Sequence, residues 1–125
     1  METPRERPKE LLGHTYRILT GCGKMYITVN HDEIGLFEIF ARVGKNGGCS
    51  SAQLELACRS ITAGLRAGVD PKVFIKQAKG IRCPSSVWED GQQILSCGDA
   101  IGRAIESENG KLLSEKLESS RRKAE

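Results

Sequence analysis

Two observations predict an α+β fold, an antiparallel β-meander packed against two or three helices in a single small domain. Over residues 15–42 the apolar positions recur every second residue. From residue 50 onward they recur at helical spacing. Residues 15–20 place Tyr16 and Ile18 on one face. Residues 24–30 set Met25, Ile27 and Val29 against Tyr26, Thr28 and Asn30, and residues 36–42 set Phe37, Ile39 and Ala41 on one face. Gly21-Cys22-Gly23 supplies a short hairpin connection between the first two strands, and residues 31–35 turn the chain into the third.

The helical half follows from its punctuation. Ser50 with Gln53 fits a capping box for a helix over residues 50–67, whose apolar positions are Leu54, Cys58, Ile61 and Leu65. Gly68 ends it. Asp70 caps a second helix over 71–79 with Pro71 at its first position, and Gly80 stops that one. Residues 81–91 read as a loop that carries the single tryptophan, Trp88, and residues 92–95 as a short strand. Ser96 with Asp99 caps a third helix through Ala100, Ile101, Ala104 and Ile105. The organisation expected is a mobile arm over 1–10, a domain over 11–107 and a charged tail with weak helical periodicity over 108–125.

Composition bounds the function. At 125 residues the chain is too short for an α/β barrel of about 250 residues. A net charge of +3 is too balanced to argue nucleic-acid binding by electrostatics alone. The polar start METPRERPKE has no apolar signal core, and no stretch approaches the roughly 20 apolar residues of a membrane span, so a cytoplasmic protein without a membrane partner is expected. In that compartment clustered thiols point to metal or redox chemistry more than to disulfides.

The five cysteines separate by context. Cys58 falls on the apolar face of the long helix and reads as a small core residue. Cys22, Cys49, Cys83 and Cys97 all sit at backbone breaks: a hairpin turn, a glycine-rich entry to a helix, the residue before a proline, and the start of the third helix. Four thiolates suit tetrahedral zinc, or as a second choice an iron–sulfur cluster, although none of the C-x₂₋₄-C pairs of ordinary zinc ribbons is present. Gly44-Lys45-Asn46-Gly47-Gly48, running into a helix, is a candidate anion or nucleotide contact through Lys45, Gly47 and Gly48, but its order is not that of a P-loop. With the basic end Arg121-Arg122-Lys123 it supports an alternative reading as a small nucleotide- or nucleic-acid-binding protein. A redox enzyme acting through Cys49 or Cys97 ranks below both, because no base or resolving partner can be named. His14 and His31 read as surface or turn residues.

Several segments together resemble one family. They are Arg7-Pro8 with Leu11-x-Gly13-x-Thr15, the run from Thr20-Gly21-Cys22-Gly23 to Asn30, Phe37-Glu38-Ile39-Phe40 with the loop ending in Cys49, Gly80-Ile81-Arg82-Cys83-Pro84, and Ser96-Cys97-Gly98-Asp99-Ala100-Ile101. This resembles the TSCPD domain, found at the C-terminus of adenosylcobalamin-dependent (class II) ribonucleotide reductases and as short stand-alone proteins. The resemblance covers about residues 7–106. The naming motif reads Leu95-Ser96-Cys97-Gly98-Asp99 here, with Leu for Thr and Gly for Pro. The resemblance implies an accessory or partner-binding module in deoxyribonucleotide synthesis, with a class II reductase catalytic chain as partner and a homo-oligomer as a further option. It implies no catalytic residue and no cobalamin site in this chain, since the reductase chemistry belongs to a barrel that cannot fit here. It also groups Cys22, Cys49, Cys83 and Cys97 as one motif set, in keeping with a structural zinc site.

Overall fold

The computed structural model describes residues 3–44 and 49–124; the side chains of 49–51 and 124 lie outside that description. The elements are β1 (Leu12–Thr20), β2 (Gly23–His31), β3 (Leu36–Val43), α1 (Cys49–Arg66), α2 (Pro71–Ala78), β4 (Val87–Glu89), β5 (Gln92–Ile94) and α3 (Cys97–Ala124). Strands β1, β2 and β3 form an antiparallel sheet in that order, and β4 and β5 form a second, two-stranded sheet. The fold is a single small α+β domain, as the alternation and helical spacing predict.

Alternation, strict in β2, gives the large sheet two unlike faces. Met25, Ile27 and Val29 are fully buried and join Ile39 from β3 and Tyr16 and Ile18 from β1 in the core. From the other side, Ala100, Ile101, Ala104 and Ile105 of α3, with Leu65 and Cys58 of α1, complete that core. Each fully buried Ile or Leu contributes about 1.5–3 kcal/mol relative to exposure.

Helix α1 does more than cover apolar surface. Thr62 Oγ1 accepts from the Ile39 N–H at 3.0 Å and donates to the Ile39 carbonyl at 3.3 Å, so it satisfies the outer edge of β3. An unpaired edge strand otherwise invites pairing with another chain. One helical turn earlier, the Cys58 thiol hydrogen-bonds the Ala41 backbone, while burial pushes its pKa up to about 11. Cys58 is therefore an inert core residue, as its position on the apolar face predicts.

The helix ends follow their punctuation. Gly68, at φ +96°, donates to Leu65 and Val69 donates to Gly64, which terminates α1. Asp70 accepts from the Lys72 N–H at 3.0 Å, with Pro71 at the first helical position. At the other end of α1 the helix already includes Cys49, so Ser50 is a helical residue and not the expected cap.

Three departures from the sequence reading have physical causes. Val87–Glu89 is a strand inside the expected loop, and it pairs with β5 through Asp90-Gly91, both at positive φ (51° and 77°). This is the D-G turn of a tight hairpin. The arm over 3–11 has no regular structure but is pinned. Arg5 donates to the Leu36 and Leu65 carbonyls, and Arg7 grips buried Glu38 through two bonds of 2.8 and 3.0 Å. Finally, α3 runs unbroken through Gly110, and its buried Glu108 accepts from Tyr16 at 2.7 Å and pairs with His14 at 2.7 Å, with His31 4.0 Å away. The two histidines thus help seat α3 on the sheet and are not simple turn residues.

Close packing between α2 and α3 depends on Gly102, where a Cβ would lie 2.8 Å from the Lys79 backbone nitrogen. Gly102→Val is expected to lower stability by about 1–3 kcal/mol, the range for forced overpacking. Urea denaturation followed by circular dichroism checks this; an unchanged midpoint would show that α2 can move away freely.

Candidate functional site

The hairpin tip, the 81–86 loop and the start of α3 meet at one corner of the domain. Thr20, which is buried, organises the tip. Its Oγ1 donates to the Gly23 carbonyl at 2.8 Å and accepts from the Cys22 N–H at 3.2 Å. Gly21 lies flat against Ser85, so closely that a Cβ there would overlap the Ser85 carbonyl. That approach sets the Cys22 turn beside the segment of Cys83. Cys83 is held in turn by its N–H donating to the Leu95 carbonyl at 3.1 Å.

The third part of the corner is the motif Ser96-Cys97-Gly98-Asp99 at the start of α3. Ser96 is the N-cap of α3. Its Oγ accepts from the Asp99 N–H at 3.1 Å and donates to the Ile81 carbonyl at 2.6 Å. The Asp99 carboxylate accepts from the Gly80 N–H at 2.9 Å, the Leu95 N–H at 3.0 Å and Arg103 Nε at 2.9 Å. Arg103 then donates to Gln92 and to the Gln93 carbonyl, locking β5 to the helix. Burial alone would raise the Asp99 pKa. The three donors outweigh it and hold the carboxyl below the usual range.

This clamp fixes Cys97 as the first residue of α3. Its thiol points to Thr20 Oγ1 at 3.9 Å. Burial pushes the Cys97 pKa up, the Thr20 hydrogen bond opposes that, and a hydrogen bond with Cys22 and the nearness of Cys22 and Cys83 push it further up. The structure therefore brings Cys22, Cys83 and Cys97 to one corner. Among the described residues no group of three or more His, Cys, Asp or Glu side chains is arranged to hold a metal ion. The Cys49 side chain lies outside the described residues, as do Lys45, Gly47 and Gly48 of the expected anion loop. The backbone still places the start of α1 at this end of the sheet: Gly44 donates to the Lys24 carbonyl beside the hairpin tip, and the helix begins at Cys49. In the basic tail, Arg122 is paired with Glu118 on the same helix at 3.1 Å. Among the described residues no helix is long and apolar enough to cross a membrane.

A small α+β module whose serine–cysteine–aspartate motif caps one helix and knots a cysteine-bearing corner is the class these features define. The model of the TSCPD domain family matches residues 2–109, and the chain belongs to that family. No curated protein and no solved structure matches it.

The depressed carboxyls of Asp99 and Glu38 carry a signed pH dependence. Their stabilising contribution is full above the unfolded carboxylate range of about 4, and is lost as pH falls through their lower folded values. Asp99→Asn is expected to cost roughly 3–5 kcal/mol at neutral pH, because it leaves Arg103 and two backbone donors without their charged partner. The variant should also flatten the loss of stability below about pH 4. Urea midpoints measured across that range check both effects; a wild-type acid limb in the variant would remove Asp99 from this role.

Proposed function

We propose that this protein is an accessory, partner-binding module associated with adenosylcobalamin-dependent ribonucleotide reductase, and so with deoxyribonucleotide synthesis, built around a structural four-cysteine zinc site. Membership of the TSCPD family supports the association. The observation that carries the site is the convergence of Cys22, Cys83 and Cys97 on one corner, with the N-terminus of α1, and hence Cys49, at the same end of the sheet.

The donor chemistry fits the metal. Thiolates are the preferred ligands of structural zinc, and four of them close its tetrahedral shell with no open position for catalysis. The half-buried Cys97 thiol beside Cys22 and Cys83 resists ionising, as its raised pKa expresses. A divalent cation removes that penalty and adds its binding free energy to folding. The chain's own residues would do the rest. Thr20 and the Gly21–Ser85 contact hold the hairpin cysteine, Ser96 and Asp99 hold Cys97 at the helix start, and the Leu95 carbonyl holds Cys83. The site's role is to join the sheet to the helices and so fix the surface that a reductase chain would meet.

Purified without chelator, the protein is expected to contain about one zinc per chain. Cys22→Ser, Cys49→Ser, Cys83→Ser and Cys97→Ser should each lose the metal, and Cys58→Ser should keep it. Elemental analysis decides; metal-free wild type with chelator-insensitive folding would overturn the site. For the partner, titration against an adenosylcobalamin-dependent reductase catalytic chain should give saturable binding or a change in turnover at micromolar protein. No effect at that concentration would overturn the association.

A further inference from the structure

The helices pack on the Met25–Ile27–Val29 face of the large sheet. The opposite face has a different composition. Its cross-strand rows are Arg17–Tyr26–Arg42 and Thr15–Thr28–Phe40, with Gly13–Asn30–Glu38 closing one end. Phe40 is 55% exposed, an unusual state for a phenylalanine at the middle of a strand, and Thr15, Arg17, Lys24 and Arg42 are exposed around it. Thr15, Tyr26, Thr28, Phe40 and Arg42 line a shallow cavity of about 340 Å³.

The exposed charge on the central rows of this face is basic. Among the described residues Arg17, Lys24 and Arg42 form no ion pair with a carboxylate. Glu38 is held by Arg7 and Asn30 and Glu55 on α1 by Arg59, while Glu89 accepts from the Leu19 N–H. The Arg42 guanidinium already stacks over the Tyr26 ring, 5.3 Å from its centroid.

We propose that this open face binds single-stranded nucleic acid, with Tyr26 and Phe40 as stacking platforms and Arg17, Lys24 and Arg42 as phosphate contacts. The two rings sit on adjacent strands one row apart, a diagonal of about 7–8 Å, so two successive unstacked bases can each take a ring. Stacking requires bases drawn out of a duplex, which selects single strands. The uncompensated cations supply the complement to a phosphate backbone, whose charge repeats at every nucleotide, whereas a protein partner would have to bring a carboxylate to each of the three. The Thr15–Thr28 hydroxyl pair, 2.8 Å apart within the second row, leaves one O–H donor and free lone pairs for base edges or sugars. Lys24 stands two residues from Cys22, so this surface adjoins the cysteine corner at one end, but its test needs neither a metal nor a reductase.

Fluorescence anisotropy with labelled oligo-dT and oligo-rU of about ten nucleotides tests the proposal, one arm for each sugar. Micromolar binding to either strand is expected, well above binding to a duplex of the same length. Three phosphate contacts predict a log–log salt slope near −2, at about 0.7 per contact on single strands. Phe40→Ala and Tyr26→Ala should each weaken binding roughly 5-fold to 100-fold. Tyr26→Phe, which keeps the ring, should retain most of it. The double variant Arg17→Ala/Lys24→Ala, with two exposed side chains changed, should bind weakly and show a shallower salt slope while its circular dichroism stays native. No binding at about 100 μM protein in low salt would overturn the proposal. So would binding that survives both ring variants but is lost on neutralising Arg121, Arg122 and Lys123. Self-association that the ring variants abolish would assign the face to a second copy of the chain and overturn it as well.

Discussion

Asp99 is 1% exposed and gathers hydrogen bonds from the chain leaving α2, the chain leaving β5 and the Arg103 side chain of its own helix. Because these three segments are remote from the meander in sequence, their mutual position is what allows the helical half to present one surface to the sheet. Ser96 completes the knot by capping α3 and holding the Ile81 carbonyl. With the start of α3 fixed in this way, Ala100, Ile101, Ala104 and Ile105 face Met25, Ile27 and Val29 directly. Cys97 can then occupy only the corner beside Thr20. The serine and the aspartate of the family motif are thus architectural, and the cysteine between them is the residue they position.

A second tie works near the middle of the same helix. Glu108 accepts from Tyr16 and His14, and Leu112 is buried one turn later, so α3 is anchored both at its motif and near its middle. On the other edge of the sheet, Thr62 and Cys58 of α1 bond the Ile39 and Ala41 backbone, alternate positions of β3. Arg5 and Arg7 draw the N-terminal arm across the end of the meander. The sheet is thereby closed at its β3 edge and covered on one face, while its second face remains open over its central rows. The domain has a constrained corner and an accessible platform, and these are the two places where its chemistry concentrates.

Much of this was legible in the residues. Alternation over 15–42 identifies all three strands of the meander, and Asp70-Pro71 and Gly68 bound the helices where they lie. Backbone breaks separate Cys58 from the other thiols, and three of those others do converge. What escaped was of two kinds. Val87–Glu89 and Gln92–Ile94 are three residues each, too short for a period to register, and only the Asp90-Gly91 dipeptide marked their hairpin. Glu108, Arg5 and Arg7 looked like solvated charges because their partners stand far away in sequence, at separations from 31 to 94 residues. Pairing that distant leaves no local pattern. The open sheet face was hidden for the same reason, since the neighbourhood of Tyr26, Phe40, Arg17 and Arg42 exists only once the register is known.

The central claim is that four cysteines from four breaks in the backbone form one structural centre at the corner that Ser96 and Asp99 hold. X-ray absorption at the zinc edge of the purified protein tests it most directly. A single shell of four sulfur atoms at about 2.3 Å is the expected result. A shell containing nitrogen or oxygen ligands at about 2.0–2.1 Å, or the absence of bound zinc, would contradict it.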